Sequence, residues 1–173
     1  FMELASEALP PGVLNVVTGE GIPIGEAIVA HPEIRAISFT GDVATGTAIT
    51  INSASKLKRL TLELGGKSPV IVFADADLSA VADMLKFGAF ANSGQDCQAA
   101  SRVLVENSAY EDLMTELVKR VDTIKVGDPQ LNDAIDMGPV VSQTQQNRVA
   151  GFVDRAISEG GEVTTGGGKI NSA

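Results

Sequence analysis

Apolar and polar positions follow two regimes along the chain, and the change falls near Leu57. Residues 1–9 have helical spacing. Residues 13–17 (Val-Leu-Asn-Val-Val) form a short β-branched run between Pro10-Pro11-Gly12 and Thr18-Gly19, which predicts a strand. A helix is predicted over 25–30, ended at His31 because Pro32 disfavours α conformation in its predecessor. Residues 34–39 read as a second buried strand, and after Thr40-Gly41 a helix is expected over 43–53. This β-α-β-α order with short glycine-containing turns predicts right-handed crossovers and a parallel sheet. Its near-continuous apolar strands fit a sheet covered on both faces.

Beyond Leu57 the spacing changes. Residues 58–64 alternate polar and apolar, as a strand with one solvated side does. Gly65-Gly66 breaks the run, and a buried strand is expected over 68–73. Asp75 or Asp77 can cap a long helix over 78–91, which gives way to the polar stretch 92–97. A strand over 102–105 follows, then helices over 110–121 and 145–159, the last stopped by Gly160-Gly161. The reading is an α/β fold with a domain junction near Gly65-Gly66.

Composition narrows the function classes. Of 173 residues 44% are hydrophobic and 20% charged, which excludes wholesale disorder and collagen-like sequence. Lys and Arg total 13 against 22 Asp and Glu, a net charge of −9 that disfavours nucleic-acid binding by counterion release. No apolar run reaches the roughly 20 residues that cross a bilayer. One Cys and one His leave no disulfide framework and no Cys- or His-rich metal site. The expectation is a cytoplasmic, metal-free, soluble protein without a signal peptide. The start at Phe1 inside a helical pattern and the close in Gly166-Gly167-Gly168-Lys169 look like cut ends.

Three glycine features invite a nucleotide reading. Gly19-x-Gly21-x-x-x-Gly25 lies between the first predicted strand and helix, where backbone N–H groups can approach a pyrophosphate. Its spacing is one residue longer than the usual dinucleotide fingerprint. The alternative is an ordinary turn needing positive φ. The second feature, Gly41-Asp42-Val43-Ala44-Thr45-Gly46, occupies the same kind of turn after the next strand, so both fall at one sheet edge. The third, Gly66-Lys67-Ser68, mimics the end of a phosphate-binding loop. It lacks the glycine that loop needs at position 61, which is Thr61, and runs into Pro69 and a strand.

Cys97 is either a small buried hydrophobe or an accessible nucleophile. Polar, turn-prone neighbours, Gly94-Gln95-Asp96 and Gln98, favour the loop, and a helical turn over 98–101 would supply N–H groups to a thiolate. Glu63 is either a solvated carboxylate on a sheet face or, flanked by Leu62 and Leu64 and partly desolvated, a general base of raised pKa. His31, before Pro32, suits a capping role better than catalysis.

Taken together the segments resemble the NAD(P)-dependent aldehyde dehydrogenase superfamily. The likeness rests on four blocks in the family's order: residues 11–17 with their following glycines, Phe39-Thr40-Gly41, Leu62-Glu63-Leu64-Gly65-Gly66-Lys67-Ser68-Pro69, and Gly94-Gln95-Asp96-Cys97. Asp75-Ala76-Asp77-Leu78 and Met137-Gly138-Pro139 also match. The resemblance implies a parallel Rossmann-like sheet, in its later half, over residues 1–65. It implies the first half of an α/β catalytic, thiol-bearing domain over 66–173.

It also implies roles. Cys97 is similar to the nucleophile that attacks the aldehyde, with its backbone N–H as half of an oxyanion hole, and Glu63 to the base that activates water for deacylation. Gly21, Gly25, Glu26, Asp42, Val43, Ala44 and Thr45 match positions lining the dinucleotide, and the Leu64 carbonyl is implied near the nicotinamide. NAD is the implied cofactor, with NADP as the alternative, and the implied parent enzyme is a homo-oligomer. Two departures stand out. Asp42 replaces a serine whose hydroxyl can bond pyrophosphate, so the aspartate is expected to cap the following helix. Gln98 replaces a frequent second cysteine. Gly-Gln-Asp-Cys is most like the branch oxidising aminoaldehydes such as 4-aminobutyraldehyde. Alternatives are a non-catalytic nucleotide-binding or structural relative and a cysteine hydrolase. The chain by itself is expected to be inactive and marginally folded.

Overall fold

The computed structural model describes residues 2–169, which divide between two units, Phe1–Leu64 and Gly65–Ala173. Helix α1 spans Met2–Ala8. Helix α2 spans Gly21–Ala30 and so begins before the predicted start at residue 25. Pro23 does not delay it, because a proline in the first turn removes an N–H that has no intrahelical partner. The helix ends as expected at His31, which is extended (φ −63°, ψ 126°) ahead of Pro32.

Strand β1 (Ala36–Gly41) runs parallel to β2 (Arg59–Leu64), with Thr40 opposite Glu63 and Gly41 opposite Leu64. Helix α3 (Val43–Ala54) makes the crossover. The crossover returns to β2 through Leu57, whose backbone is left-handed at φ 50°. Gly46 lets α3 lie close on β2, since a Cβ there would stand 2.8 Å from Leu64 Cδ2. Lys58 Nζ donates to the His31 carbonyl at 2.6 Å, tying the end of α2 to the start of β2.

Two expectations fail in this unit. No strand forms over 13–17: Val13, Val16 and Val17 are exposed, and no strand among the described residues pairs with them. A β-branched run becomes a strand only where a neighbour completes its hydrogen-bond ladder. Nor is β1 covered on both faces. Ile37 and Phe39 are half-buried while Ser38 and Thr40 are exposed, the alternation of a one-sided strand.

The second unit holds a second parallel pair, β3 (Pro69–Val72) and β4 (Arg102–Val105). Helix α4 (Leu78–Phe90) connects them, its N-terminus capped by Asp77, whose Oδ1 accepts from Ser79 N and Ala80 N at 3.1 Å each. Helix α5 (Tyr110–Val121) packs on α4. Val72, Ala82, Leu85 and Leu113 form the core, flanked by Val70, Val103 and Leu117. Helix α6 (Gln143–Ser158) starts before residue 145 because Ser142 caps it, accepting from Gln145 N at 3.2 Å.

Candidate active site

The parallel register brings the C-terminal ends of β1 and β2 to one edge of their sheet, the edge at which α/β sheets bind ligands. Glu63 and Leu64 end β2, and Gly41-Asp42 leads from β1 into α3. Glu63 is exposed, with Arg59 and Thr61 on the outer face of β2, while Leu62 and Leu64 alternate to the other side. The desolvation expected from its leucine neighbours is therefore absent. Period-two alternation carries the leucines to the opposite face.

A cavity of about 950 Å³ opens between α2, α3 and β1. Six of the eight residues implied as cofactor contacts line it: Gly21, Gly25, Glu26, Asp42, Ala44 and Thr45. Val43 is the first residue of α3, 57% exposed and outside the lining, and Leu64 packs beneath Gly46 instead. At both Gly21 and Gly25 an added Cβ would meet nothing within 4 Å, so the bare backbone borders open space. Of Gly19, Gly21 and Gly25 only Gly19 has positive φ, at 153°. The turn explanation thus fails for Gly21 and Gly25, both of which lie inside α2. Phe39, which the sequence reading did not single out as a ligand contact, also lines the cavity. Its ring lies over Gly41, where any Cβ would collide with it.

Asp42 caps α3. Its Oδ1 accepts from Thr45 N at 3.0 Å and its Oδ2 from Thr45 Oγ1 at 2.8 Å. The structure thus has the cap that the sequence predicts. His31 serves a turn: its Nδ1 accepts from Glu33 N at 3.3 Å.

In the second unit Cys97 is exposed. The segment leading to it is held in an unusual conformation. Asn92 (φ 52°), Ser93 (φ 60°) and Gly94 (φ 71°) are three successive left-handed residues, two of them carrying a Cβ. Such residues cost on the order of 1 kcal/mol or more each, and persist where the surroundings hold them. Here Asn92 Nδ2 donates to Gln95 O at 2.9 Å, Gln95 Nε2 donates to Asn92 O at 3.1 Å, and Ser93 Oγ donates to Gly138 O at 2.7 Å. The Ser93 tether joins the thiol segment to the Met137-Gly138-Pro139 block. Sequence reasoning missed both Ser93 and the strain, and the only signal was the polar run itself.

The helical turn expected over 98–101 does not form. Asp96 takes the donors such a turn would aim at the thiol, its Oδ1 accepting from Gln98 N at 2.8 Å and its carbonyl from Ala99 N at 3.2 Å. Ala100 N then donates to Gly88 O at 2.8 Å, returning the chain to α4. Cys97 N–H donates to no group among the described residues. Among the described residues no helix is long and apolar enough to cross a membrane. No group of three or more His, Cys, Asp or Glu residues there could hold a metal ion.

The two parallel α/β crossovers and the exposed thiol define a class, an α/β protein with an open cavity on one unit and a lone cysteine on the other. Comparison with known proteins gives the family. The aldehyde dehydrogenase family model matches residues 1–173, and the chain belongs to that family. It is 42% identical over 170 residues to a chloroplastic betaine aldehyde dehydrogenase of Beta vulgaris, covering 98% of this chain and 34% of the relative. It is 45% identical over 159 residues to a peroxisomal aminoaldehyde dehydrogenase of Pisum sativum, covering 92% of this chain and 31% of the relative. Betaine aldehyde dehydrogenase from Staphylococcus aureus, solved in complex with NAD+, superposes with a TM-score of 0.94 at 36% identity, covering 99% of this chain and 34% of that one. The α/β fold is therefore that of an aldehyde dehydrogenase, and the chain spans about a third of the length of the curated relatives it matches.

Proposed function

We propose that this chain carries the thiol, the deacylating carboxylate and part of the dinucleotide site of an enzyme that oxidises an aldehyde to a carboxylic acid. One observation carries the reading above the others: the only thiol in a chain of this family, Cys97, stands exposed in a strained, hydrogen-bonded segment. Residues 1–65 are then the later part of the NAD(P)-binding domain and residues 66–173 the first part of the thiol domain. The parent enzyme is a homo-oligomer in the cytoplasm, where a lone exposed thiol stays reduced.

The cavity between α2 and α3 suits NAD or NADP because two helical glycines leave its wall bare. Gly21, Gly25, Glu26, Ala44 and Thr45 would border the nucleotide there, with Asp42 and Val43 at the start of α3 and the Leu64 carbonyl toward the nicotinamide. When bound, NAD(P)+ supplies the two-electron acceptor.

The chemistry of the chain's own residues then follows. Cys97, as thiolate, adds to the aldehyde carbonyl, forming a C–S bond and a tetrahedral oxyanion that the Cys97 N–H stabilises. Oxidation of that thiohemiacetal leaves a thioester on Cys97. Glu63 takes a proton from water, the resulting hydroxide adds to the thioester carbon, and the C–S bond breaks to restore the thiolate and release the carboxylic acid, which gives its proton to solvent, as Glu63 then does.

The substrate class we favour is an aldehyde bearing an ammonium group. Support comes from the relatives named for betaine aldehyde and aminoaldehydes, from the −9 charge, and from an aspartate, Asp96, directly before Cys97 in the sequence. In the full-length protein, Cys97→Ala should lower turnover by about a thousandfold or more while NADH affinity is kept. Dehydrogenase activity retained in that variant would overturn the assignment. Glu63→Gln should let an acyl-enzyme build up, seen by intact mass after a single turnover. A kcat/KM lower for 4-aminobutyraldehyde than for butanal would remove the substrate reading and leave the reaction class standing.

A further inference from the structure

The segment that carries the thiol is anchored at two points, one on each side of Cys97. Downstream, Ala100 N donates to Gly88 O at 2.8 Å and so fastens the chain to α4. Upstream, the side chains of Asn92 and Gln95 bond only to each other's backbone. Among the described residues 92–97, one side-chain hydrogen bond reaches a distant part of the chain: Ser93 Oγ donates to Gly138 O at 2.7 Å, 45 residues on. The acceptor is itself held in place. Gly127 N donates to Met137 O at 3.0 Å, and Asp136 N and Met137 N both donate to Lys125 O, at 2.9 and 3.1 Å. Lys125 N closes the same block by donating to Asp136 Oδ2 at 2.9 Å. Ser93 is half-buried and left-handed at φ 60°, a conformation that glycine adopts freely and in which a Cβ is a cost. Its hydroxyl is what a serine contributes at such a corner.

We propose that Ser93 is a positioning residue: by fastening the upstream corner of the segment to the 137–139 block, its hydroxyl sets where the Cys97 thiol stands when it meets the aldehyde carbonyl. The proposal rests on the reading of Cys97 as the nucleophile given above. Ser93 acts through the backbone between residues 93 and 97 and takes no part in the bonds made or broken. Without the tether the segment is fastened firmly only at Ala100, and the thiol moves with its loose end. Attack needs the reacting atoms about 3–3.5 Å apart, and a misplacement of about 1 Å costs on the order of a hundredfold in rate. The tether carries no charge, so its loss leaves the thiolate character of Cys97 as it was. A small reagent that reaches the exposed thiol from solution therefore does not sense the change.

The test compares the full-length protein with its Ser93→Gly and Ser93→Ala variants. Glycine loses the tether and relieves the strain together, whereas alanine loses the tether and keeps the strain. NADH formed in the first turnover is followed by stopped flow, beside the KM for NAD+, the rate of Cys97 alkylation by iodoacetamide, and the melting temperature. The expected result is first-turnover NADH formation about tenfold slower or more in both variants, with alkylation within about twofold of wild type. The KM for NAD+ should be unchanged, and Ser93→Gly should melt where the wild type does. First-turnover rates equal to wild type in both variants overturn the positioning role of Ser93 and leave Cys97 as the nucleophile. Slowing in Ser93→Ala alone, in step with a lower melting temperature, marks a merely structural bond and overturns the role as well. If Cys97→Ala forms NADH as fast as the wild type, or the wild type forms none, the nucleophile reading fails and this inference with it.

Discussion

The two units spend their apolar residues differently. In Gly65–Ala173, Val72, Ala82, Leu85 and Leu113 meet in one cluster to which β3, β4, α4 and α5 all contribute. Arg120 on α5 reinforces it from the rim, donating to Asp83 Oδ1 at 2.9 Å and Ser79 Oγ at 2.7 Å on α4, and to Glu116 Oε2 at 2.5 Å on its own helix. In Phe1–Leu64 the buried hydrophobics among the described residues are Val29 and Ile49, and both also border the cavity. The first arrangement is a scaffold: it holds the end of α4, and so the strained segment and Cys97, in place. The second leaves its two buried hydrophobics on the wall of an open cavity. A closed core of this kind holds its neighbours in place more firmly than a cavity wall does.

The sharpest way to break that contrast is to cut each unit's core. Leu85→Ala should cost about 2–5 kcal/mol in urea unfolding, the range for a fully buried leucine. Ile49→Val, beside a cavity already open, should cost no more than about 1 kcal/mol. Equal losses would show that the first unit is packed as tightly as the second. Next in size is the strained segment. Asn92→Val puts a β-branched residue at φ 52° and removes the bond to Gln95 O, so a loss of about 1–3 kcal/mol is expected by thermal melting. Proteolysis should then begin between residues 91 and 98.

A smaller effect, of opposite sign, is expected in the first unit. Ser53 is 1% exposed and its Oγ has no hydrogen-bond partner, so Ser53→Ala should stabilise the protein by about 1 kcal/mol. The smallest effect concerns pH. The Glu116 carboxyl lies below its ordinary value of 4.5, held down first by the hydrogen bond and charge of Lys119 and then by Arg120, against an opposing contribution from burial. A carboxyl whose folded pKa is depressed lends stability above its unfolded value and loses it as pH falls through the folded one. The Arg120 guanidinium is raised above its ordinary value, first by its hydrogen bond to Asp83, and so stays fully charged throughout that range. Glu116→Gln should therefore flatten the fall in melting temperature below about pH 4.5 and change little at neutrality. A steeper fall would reverse the sign.

Legibility in the sequence followed the range of the forces involved. Helices α4 and α5 were readable because capping and apolar spacing are local, as at Asp77 and at Leu113 and Leu117 on one face. The Asp42 cap was readable for the same reason. The run at 13–17 misled because a strand depends on a partner that its own sequence does not contain. At Glu63 the sequence leaves a solvated and a partly desolvated carboxylate both open, and the exposed position follows because along a strand adjacent side chains point to opposite faces and do not enclose one another. The Ser93–Gly138 bond joins residues far apart in the chain, and no local pattern announces it. Phe39 became visible as a cavity residue only once its ring was seen over Gly41.

The register of β1 on β2 bears on which insertions and deletions the gene can absorb. Thr40 faces Glu63 because β2 runs without a bulge from Arg59 to Leu64. A codon gained or lost in the exposed turn before β2, residues 55–57, changes only the length of a surface connection. The same event inside β2 rotates every later side chain to the other face, sending Glu63 inward and a leucine outward. Two stretches a few codons apart should therefore show opposite tolerance to length change, with the boundary between them at Arg59.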